Sequence, residues 1–413
     1  MRNLGPDRPL IAVTFLLAAF GLATLYSAGQ TDVVTQAGNV WIRQLVWMGI
    51  GIVAAAVVFR ISFRLLEWLA PAAYAFALLL LLITLAVGTG VGTATGTKSW
   101  LAVGGHQIGQ PAELAKLAVI LMLARYLSGL REPPRNLREL VPPCLIAGVP
   151  FLLVLKQPDL GSAIVFIGIL FLMLFWAGVK PSLLFMLASP GLSLLLAFNT
   201  WTWGVWMIVL AVLLVSWRPY VAEGVLLYIA NSIMGALAIP LWQRLAPYQQ
   251  NRLLTFLNPE IDPRAAGYHA IQSRVAIGSG GWFGNGFTQG PQKRLAFLPA
   301  QHTDFIFSVV GEELGFVGVT VALGLFLALF LVLLRIARRA TEPFASLVVF
   351  GILALFFTHV FENVGMTVNL MPITGIPLPF FSYGGSFFLI CCVCIGLVLR
   401  AAWDARLSGY ADV

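Results

Sequence analysis

Charge is scarce in this chain: Asp, Glu, Lys and Arg make up only 10% of its 413 residues, against 59% hydrophobic residues. Soluble globular domains carry about a quarter charged residues, so this balance excludes a soluble globule and leaves a polytopic membrane protein. Cysteine is scarce too. Cys144 stands alone, and Cys391, Cys392 and Cys394 crowd one apolar segment, a spacing that is neither a zinc site nor a disulfide framework. No Walker A sequence, HExxH or EF-hand pattern occurs. The net charge of +8 does not point to nucleic acid. Most Arg and Lys residues sit in short loops between apolar segments, where they set orientation.

Apolar windows of bilayer length, about 17–25 residues, fall near 10–28, 41–59, 69–88, 112–128, 140–157, 159–178, 182–199, 202–217, 221–241, 304–335, 344–369 and 383–402. The expectation is an all-α polytopic membrane protein of about twelve transmembrane helices, forming one multi-pass domain over residues 1–413. The first apolar stretch reads as an uncleaved helix, because so many spans follow it. Arg2, Arg8, Arg60, Arg64, Arg131, Arg135, Arg138, Lys180, Arg218, Arg335, Arg338, Arg339, Arg400 and Arg406 all fall on one side. By the positive-inside rule that side is cytoplasmic, with both termini there. A large loop, about 242–303, then lies outside, and loops of that length escape the rule despite its Arg and Lys excess.

The run from Gly267 to Phe316 gathers Arg274, Lys293, Arg294, His302, Asp304, Glu312 and Glu313 at the edge of an apolar helix. Charge beside hydrocarbon is costly, so such a cluster requires a reason. One reading is a solvated or headgroup-binding loop; the other is a basic basin for a phosphate-bearing, lipid-linked substrate. The glycines at 278, 280, 281, 284, 286 and 290 allow tight turns and close approach to a ligand, but no βαβ unit surrounds them, so a dinucleotide loop is rejected. Glu113 and Lys116 share a face of the fourth helix at i and i+3, either as a self-neutralising pair or as a phosphate-binding Lys oriented by its Glu. Asp159 reads as a turn or helix cap. Glu312, Glu223 and Glu362 remain open.

Five motifs then carry a resemblance. NPEIDPRAAGYHAIQSRVAIGSGGWFGNG from Asn258, FLPAQHTDFIFSVVGEELGFVG from Phe297, PITGIPLPFFSYGGS from Pro372, QPDLGSA from Gln157 and QPAELAKLAV from Gln110 resemble, in order, the SEDS family of shape, elongation, division and sporulation proteins. DPRAAGYHAIQS and the QKRLAFLP approach resemble its elongation branch more than its division branch. The resemblance implies a peptidoglycan glycosyltransferase in the bacterial cytoplasmic membrane that polymerises lipid II onto a nascent glycan strand outside the cell. It also implies a class B penicillin-binding protein and other elongation-complex proteins as partners. The family usually has ten spans, which makes 202–241 an extra helix pair of even number. Ala300, Ala112 and Ser99 depart from its usual Glu, Ser and Arg, with Lys98 standing in for the last.

Polymerisation outside the cell has no ATP, so the donor must bring its own leaving group, a polyprenyl pyrophosphate. Pyrophosphate needs positive charge, and the attacking sugar hydroxyl needs a base. Asp304, at the loop–helix junction, is the candidate for that base; on residues alone it could equally be an N-cap, and the resemblance decides for catalysis. Lys98, Lys116, Arg274, Lys293 and Arg294 are the candidate cations, with Glu113 orienting Lys116 and His302 orienting Asp304. No metal-ligand set or cofactor motif is evident, and a divalent cation at the pyrophosphate stays open. A lipid-linked precursor flippase is the alternative from another class, because intramembrane charge suits transport as well; a non-catalytic scaffold is a third.

Overall fold

The computed structural model describes residues 7–33, 38–90, 99–103, 106–217, 220–245, 247–258, 267–298 and 300–411. Helical structure falls in each predicted span: α1 (Arg8–Gly29), α2 (Val40–Phe59), α3 (Phe63–Val87), α4 (Pro111–Ser128), α5 (Leu137–Lys156), α6 (Leu160–Trp176), α7 (Pro181–Leu196), α8 (Thr200–Trp217) and α9 (Val221–Arg244), then α13 (Ile306–Arg339), α14 (Pro343–Thr367) and α15 (Gly385–Ala411). Between α9 and α13 lie three shorter helices, α10 (Pro247–Leu257), α11 (Tyr268–Ser279) and α12 (Pro291–Arg294). A small antiparallel hairpin of β1 (Leu101–Val103) and β2 (His106–Gly109) precedes α4. Among the described residues, nine helices are long and apolar enough to cross a membrane. The chain is a multi-pass membrane protein. Helices α6 and α7 are apolar but shorter, and α4 carries Glu113, Lys116 and Arg125 within its length.

Local chemistry starts several of these helices. Asp7 caps α1 by accepting from the Leu10 N–H at 3.1 Å, and Asp159 caps α6 through the Ser162 N–H at 3.0 Å. Helices α4 and α14 form the centre, packed on each other and on α3 and α6, while α13 lies against α1 and α14, and α15 against α2. At one end Asp7 also binds Arg335 (2.7 Å) and Arg406 (2.8 Å), tying the start of α1 to the ends of α13 and α15. The carboxylate Asp304 lies at the opposite end of α13.

Helices α8 and α9 pack against α7 and form a satellite core around Trp206, Met207 and Leu210. Its centre is Asn231, which is fully buried; its side chain accepts from Trp206 Nε1 (3.1 Å) and donates to Ser189 Oγ (2.9 Å). Such side-chain hydrogen bonds join helices where apolar contact with lipid gives no preference.

The span expected at 304–335 is not one helix. At Gly315 the backbone turns to φ +61°, ψ −156°, and the glycine-rich segment plugs the break. The N–H groups of Asn285 and Gly286 donate to the Glu312 and Glu313 carbonyls at 3.0 and 3.1 Å, and the Phe316 and Val317 N–H groups donate to Gly281 and Trp282 at 2.9 and 3.1 Å. Interrupting a helix frees exactly these kinds of backbone groups, and another backbone satisfies them. Gly284, at φ +82°, has no room for a Cβ, which would stand 2.0 Å from the Glu313 carbonyl oxygen. The close approach expected toward a ligand is made toward the chain's own broken helix.

Candidate active site

Tight turns lead into α13. The N–H groups of Thr303 and Phe305 both point at the Ala300 carbonyl, each at 3.2 Å. Phe305 holds the N-cap position, so Asp304 is not used as a helix cap. The Asp304 side chain is half-buried, with Oδ2 3.2 Å from where a Cβ on Gly375 would stand. Burial pushes its carboxyl from the ordinary 3.8 up to about 6, opposed by the Thr303 hydroxyl and the Arg252 charge and reinforced by Asp159. A carboxylate with that proton affinity is a competent general base near neutral pH.

The loop between α14 and α15 holds this turn in place. It contains Pro372, Pro377 and Pro379, which have no N–H to donate. The Phe381 and Ser382 N–H groups close a turn on the Leu378 carbonyl at 3.2 and 3.0 Å, and further bonds tie the loop to its neighbours. Asn363 Nδ2 donates to the Asp304 carbonyl (2.9 Å) and the Ile376 carbonyl (2.7 Å). Ser382 Oγ donates to the Thr303 carbonyl at 2.6 Å and accepts from the Leu378 N–H at 2.8 Å. The Tyr383 N–H donates to the His302 carbonyl at 3.0 Å. Gly161, at the start of α6, abuts the same loop; a Cβ there would meet Ile376 at 2.7 Å.

Deeper in the bundle, Lys116 is completely buried and pairs with Glu113 at 2.8 Å. Its Nζ also lies 3.1 Å from His359 Nε2, and His359 Nδ1 lies 3.0 Å from the Pro377 carbonyl. The His359 ring stacks on Phe387, centroids 4.6 Å apart. Glu362, one turn further along α14, is buried, and among the described residues neither carboxylate oxygen has a partner in hydrogen-bonding geometry; the neighbouring Thr374 hydroxyl turns to the Met366 sulfur at 3.9 Å. Asp159 accepts from Gln110 Nε2 at 2.8 Å and acts electrostatically on Glu113, Asp304 and Glu362 alike. The pair Glu113–Lys116, Asp159, Glu362 and Asp304 therefore belong to one electrostatic cluster.

The remaining candidate cations are placed differently. Lys293 is fully buried, with its ammonium 2.9 Å from Glu313 Oε1 and bonded to the Ser27 carbonyl (3.1 Å) and the Thr288 carbonyl (3.1 Å). With Ser27 Oγ also at 3.3 Å, four acceptors surround three protons and leave no donor for a phosphate, so its place is a clamp joining α12 to α1 and α13. Arg294 spans Asp32, at 2.9 Å, and Gln289, at 3.2 Å, on the surface. Glu312, left open by the sequence, caps α12 by accepting from the Gln292 and Lys293 N–H groups at 2.6 and 3.2 Å. Arg274 projects from the exposed side of α11, whose other side is fastened by Ser273 to Ser308 Oγ (2.7 Å) and the Thr367 carbonyl (2.6 Å). His302 is next to Asp304, but its Nδ1 is buried without a partner among the described residues, and burial lowers its proton affinity. Lys98 lies outside the described residues. Among those residues no cluster of three His, Cys, Asp or Glu side chains is arranged to hold a metal ion.

The family model of the FtsW, RodA and SpoVE cell cycle proteins matches residues 7–204 and 199–407. The chain belongs to this family. Its relatives include the peptidoglycan glycosyltransferase RodA of Treponema pallidum (strain Nichols), 35% identical across 95% of this chain and 96% of that protein. The peptidoglycan glycosyltransferase MrdB of Escherichia coli (strain K12) is 34% identical across 95% of this chain and 92% of its own. Among solved structures, a chain from a peptidoglycan synthase complex that coordinates polymerization and crosslinking superposes with a TM-score of 0.73 at 30% identity, covering 98% of this chain and 99% of its own. The rod shape determining protein RodA of Thermus thermophilus gives 0.62 at 28% identity, covering 97% of each chain.

Within this FtsW/RodA/SpoVE frame, His359, Asn363 and Ser382 were not singled out by the sequence, and Arg252 stood out only as one of the basic residues of the outer loop. Arg252, on α10, bears electrostatically on both Asp304 and His269. His359, Glu362 and Asn363 repeat at i, i+3 and i+4 along an otherwise apolar helix, and that polar stripe was the available signal.

Proposed function

We propose that this chain is a peptidoglycan glycosyltransferase that polymerises lipid II at the outer face of the cytoplasmic membrane. In this reading Asp304 accepts the proton of the acceptor sugar hydroxyl as its oxygen attacks the anomeric carbon of the donor. The bond from that carbon to the pyrophosphate oxygen breaks, the configuration inverts, and polyprenyl pyrophosphate leaves with its electron pair. The observation that carries the proposal is the half-buried carboxylate of Asp304, raised to about 6 and held by its backbone rather than used as a cap. Lys116, oriented by Glu113, and Arg252 are the described cations that bear on this cluster, and they are proposed to balance the developing charge.

The family membership and the glycosyltransferase relatives support the reading over a precursor flippase. The termini are proposed to be cytoplasmic and residues 242–303 external. The placement of Asp7, Arg335 and Arg406 at one end and Asp304 at the other supports this, together with the positive-inside pattern. All twelve long helices are proposed to lie in the membrane. A class B penicillin-binding protein is proposed as partner, supported by the likeness to a chain from a synthase complex. Reconstituting the purified chain with lipid II and such a partner tests the function. Glycan polymer on a gel is the expected result; no polymer, with lipid II unconsumed, would refute it.

A further inference from the structure

The bonding around His359 goes beyond the assignment of a base and a cation. The Pro377 carbonyl can only accept, so the proton between it and His359 Nδ1, 3.0 Å apart, resides on the ring nitrogen. The ammonium of Lys116 can only donate, so Nε2, 3.1 Å away, presents its lone pair. Both nitrogens are thus committed to one neutral tautomer. A second ring proton would point at the Lys116 charge. The ring has no freedom to turn either, being fully buried and stacked on Phe387.

Its two partners belong to the two halves of the proposed chemistry. Pro377 lies in the proline-rich loop whose Gly375 passes the Asp304 carboxylate so closely that a Cβ there would stand 3.2 Å from Oδ2. Lys116 is the buried cation whose ammonium, after Glu113 and His359, keeps one proton without an acceptor among the described residues. We propose that His359 is a positioning residue that sets the Lys116 ammonium in register with the α14–α15 loop that braces the Asp304 turn. Asn363, one turn away on the same side of α14, ties the same loop through Ile376, but its Oδ1 has no donor among the described residues, so the bridge to Lys116 falls to His359.

This inference rests on the reading that Lys116 assists departure of the pyrophosphate. The test compares His359→Asn, whose amide donates where Nδ1 did but has nothing at the Nε2 position, with Lys116→Met and the double variant, in steady-state polymerisation of lipid II. The expected result is a kcat about ten- to a hundred-fold lower for His359→Asn, as for loss of one charge-assisted hydrogen bond, with KM little changed. In the Lys116→Met background the same change should cost nothing further, because both remove one interaction. Additive losses, or full kcat in His359→Asn, would overturn the positioning role while leaving the glycosyltransferase reading standing. Full kcat in Lys116→Met alone would remove the substrate role of Lys116 and the inference with it. Should His359→Asn fail to fold, solid-state NMR of histidine-labelled wild-type protein decides. A ring protonated at Nδ1 and unchanged between about pH 6 and 8 is expected, and protonation at Nε2 overturns the proposal.

Discussion

Replacing Asp304 by Asn should make the protein more stable and nearly inactive at once. The carboxyl has its proton affinity raised from the ordinary 3.8 to about 6, chiefly because burial penalises the charged form. Two pH units correspond to about 3 kcal/mol at about 1.4 kcal/mol per unit, and partial solvent screening of a half-buried group brings the expectation to about 1–3 kcal/mol. The sign follows from linkage. Between pH 3.8 and about 6 the folded protein holds a proton that the unfolded chain has released, so stability falls as pH rises through that window. At neutral pH the penalty is fully present, and Asn, which is neutral and of equal size, relieves it. Polymerisation should drop about 10²–10⁴-fold with the base gone, and the wild-type rate should itself fall as pH drops below about 6. Thermal unfolding in detergent, followed by tryptophan fluorescence at pH 7 and at pH 4.5, measures the first effect; glycan polymer measures the second. An Asn variant that is less stable than wild type at pH 7 would refute the argument that burial, rather than a favourable contact, dominates at this carboxylate.

Lys293→Met should destabilise the fold by about 3–5 kcal/mol by stranding Glu313 as a buried charge, and Lys293→Met with Glu313→Gln should recover most of that loss in the same unfolding assay; a substrate cation with no structural task would show neither effect. Gly284→Ala should release the glycine-rich segment from the α13 break, because the new methyl meets the Glu313 carbonyl at 2.0 Å, and limited proteolysis near residue 284 should become faster. A cysteine introduced at the exposed Ser279 should react with an impermeant thiol reagent on intact spheroplasts; labelling confined to permeabilised membranes would reverse the proposed orientation.

The helices were legible because a bilayer imposes both a length and an apolar composition; each window so chosen is helical, the one at 304–335 broken at Gly315. Asp304 was legible as a carboxylate where charge meets hydrocarbon; its residues alone left it between cap and base, and the N-cap geometry removes the cap. Lys293 was misleading on sequence alone. A lysine beside Arg294 in a glycine-rich loop has the composition of an anion site, and its charge is consumed by Glu313 and by Ser27, a residue 266 positions away. Gly315 gave no sign either, since a glycine in an apolar run looks the same whether the helix continues or stops. His359 and Asn363 act on the backbone of a loop that the chain builds only after their own helix ends, so nothing beside them in sequence betrays the partner.

The break at Gly315 also bears on how the chain enters the bilayer. Residues 316–339 form a helix about 36 Å long at about 1.5 Å per residue, enough to cross about 30 Å of hydrocarbon unaided. The nine residues before the break, 306–314, are then free of that task, and with them Glu312 and Glu313 escape burial in lipid tails. Synthesis delivers the glycine-rich plug before the break that receives it. Residues 316–339 can therefore insert on their own, and the shorter half settles onto a plug already made. Asp304 is thereby held relative to residues 316–339 by a backbone seam between neighbouring segments.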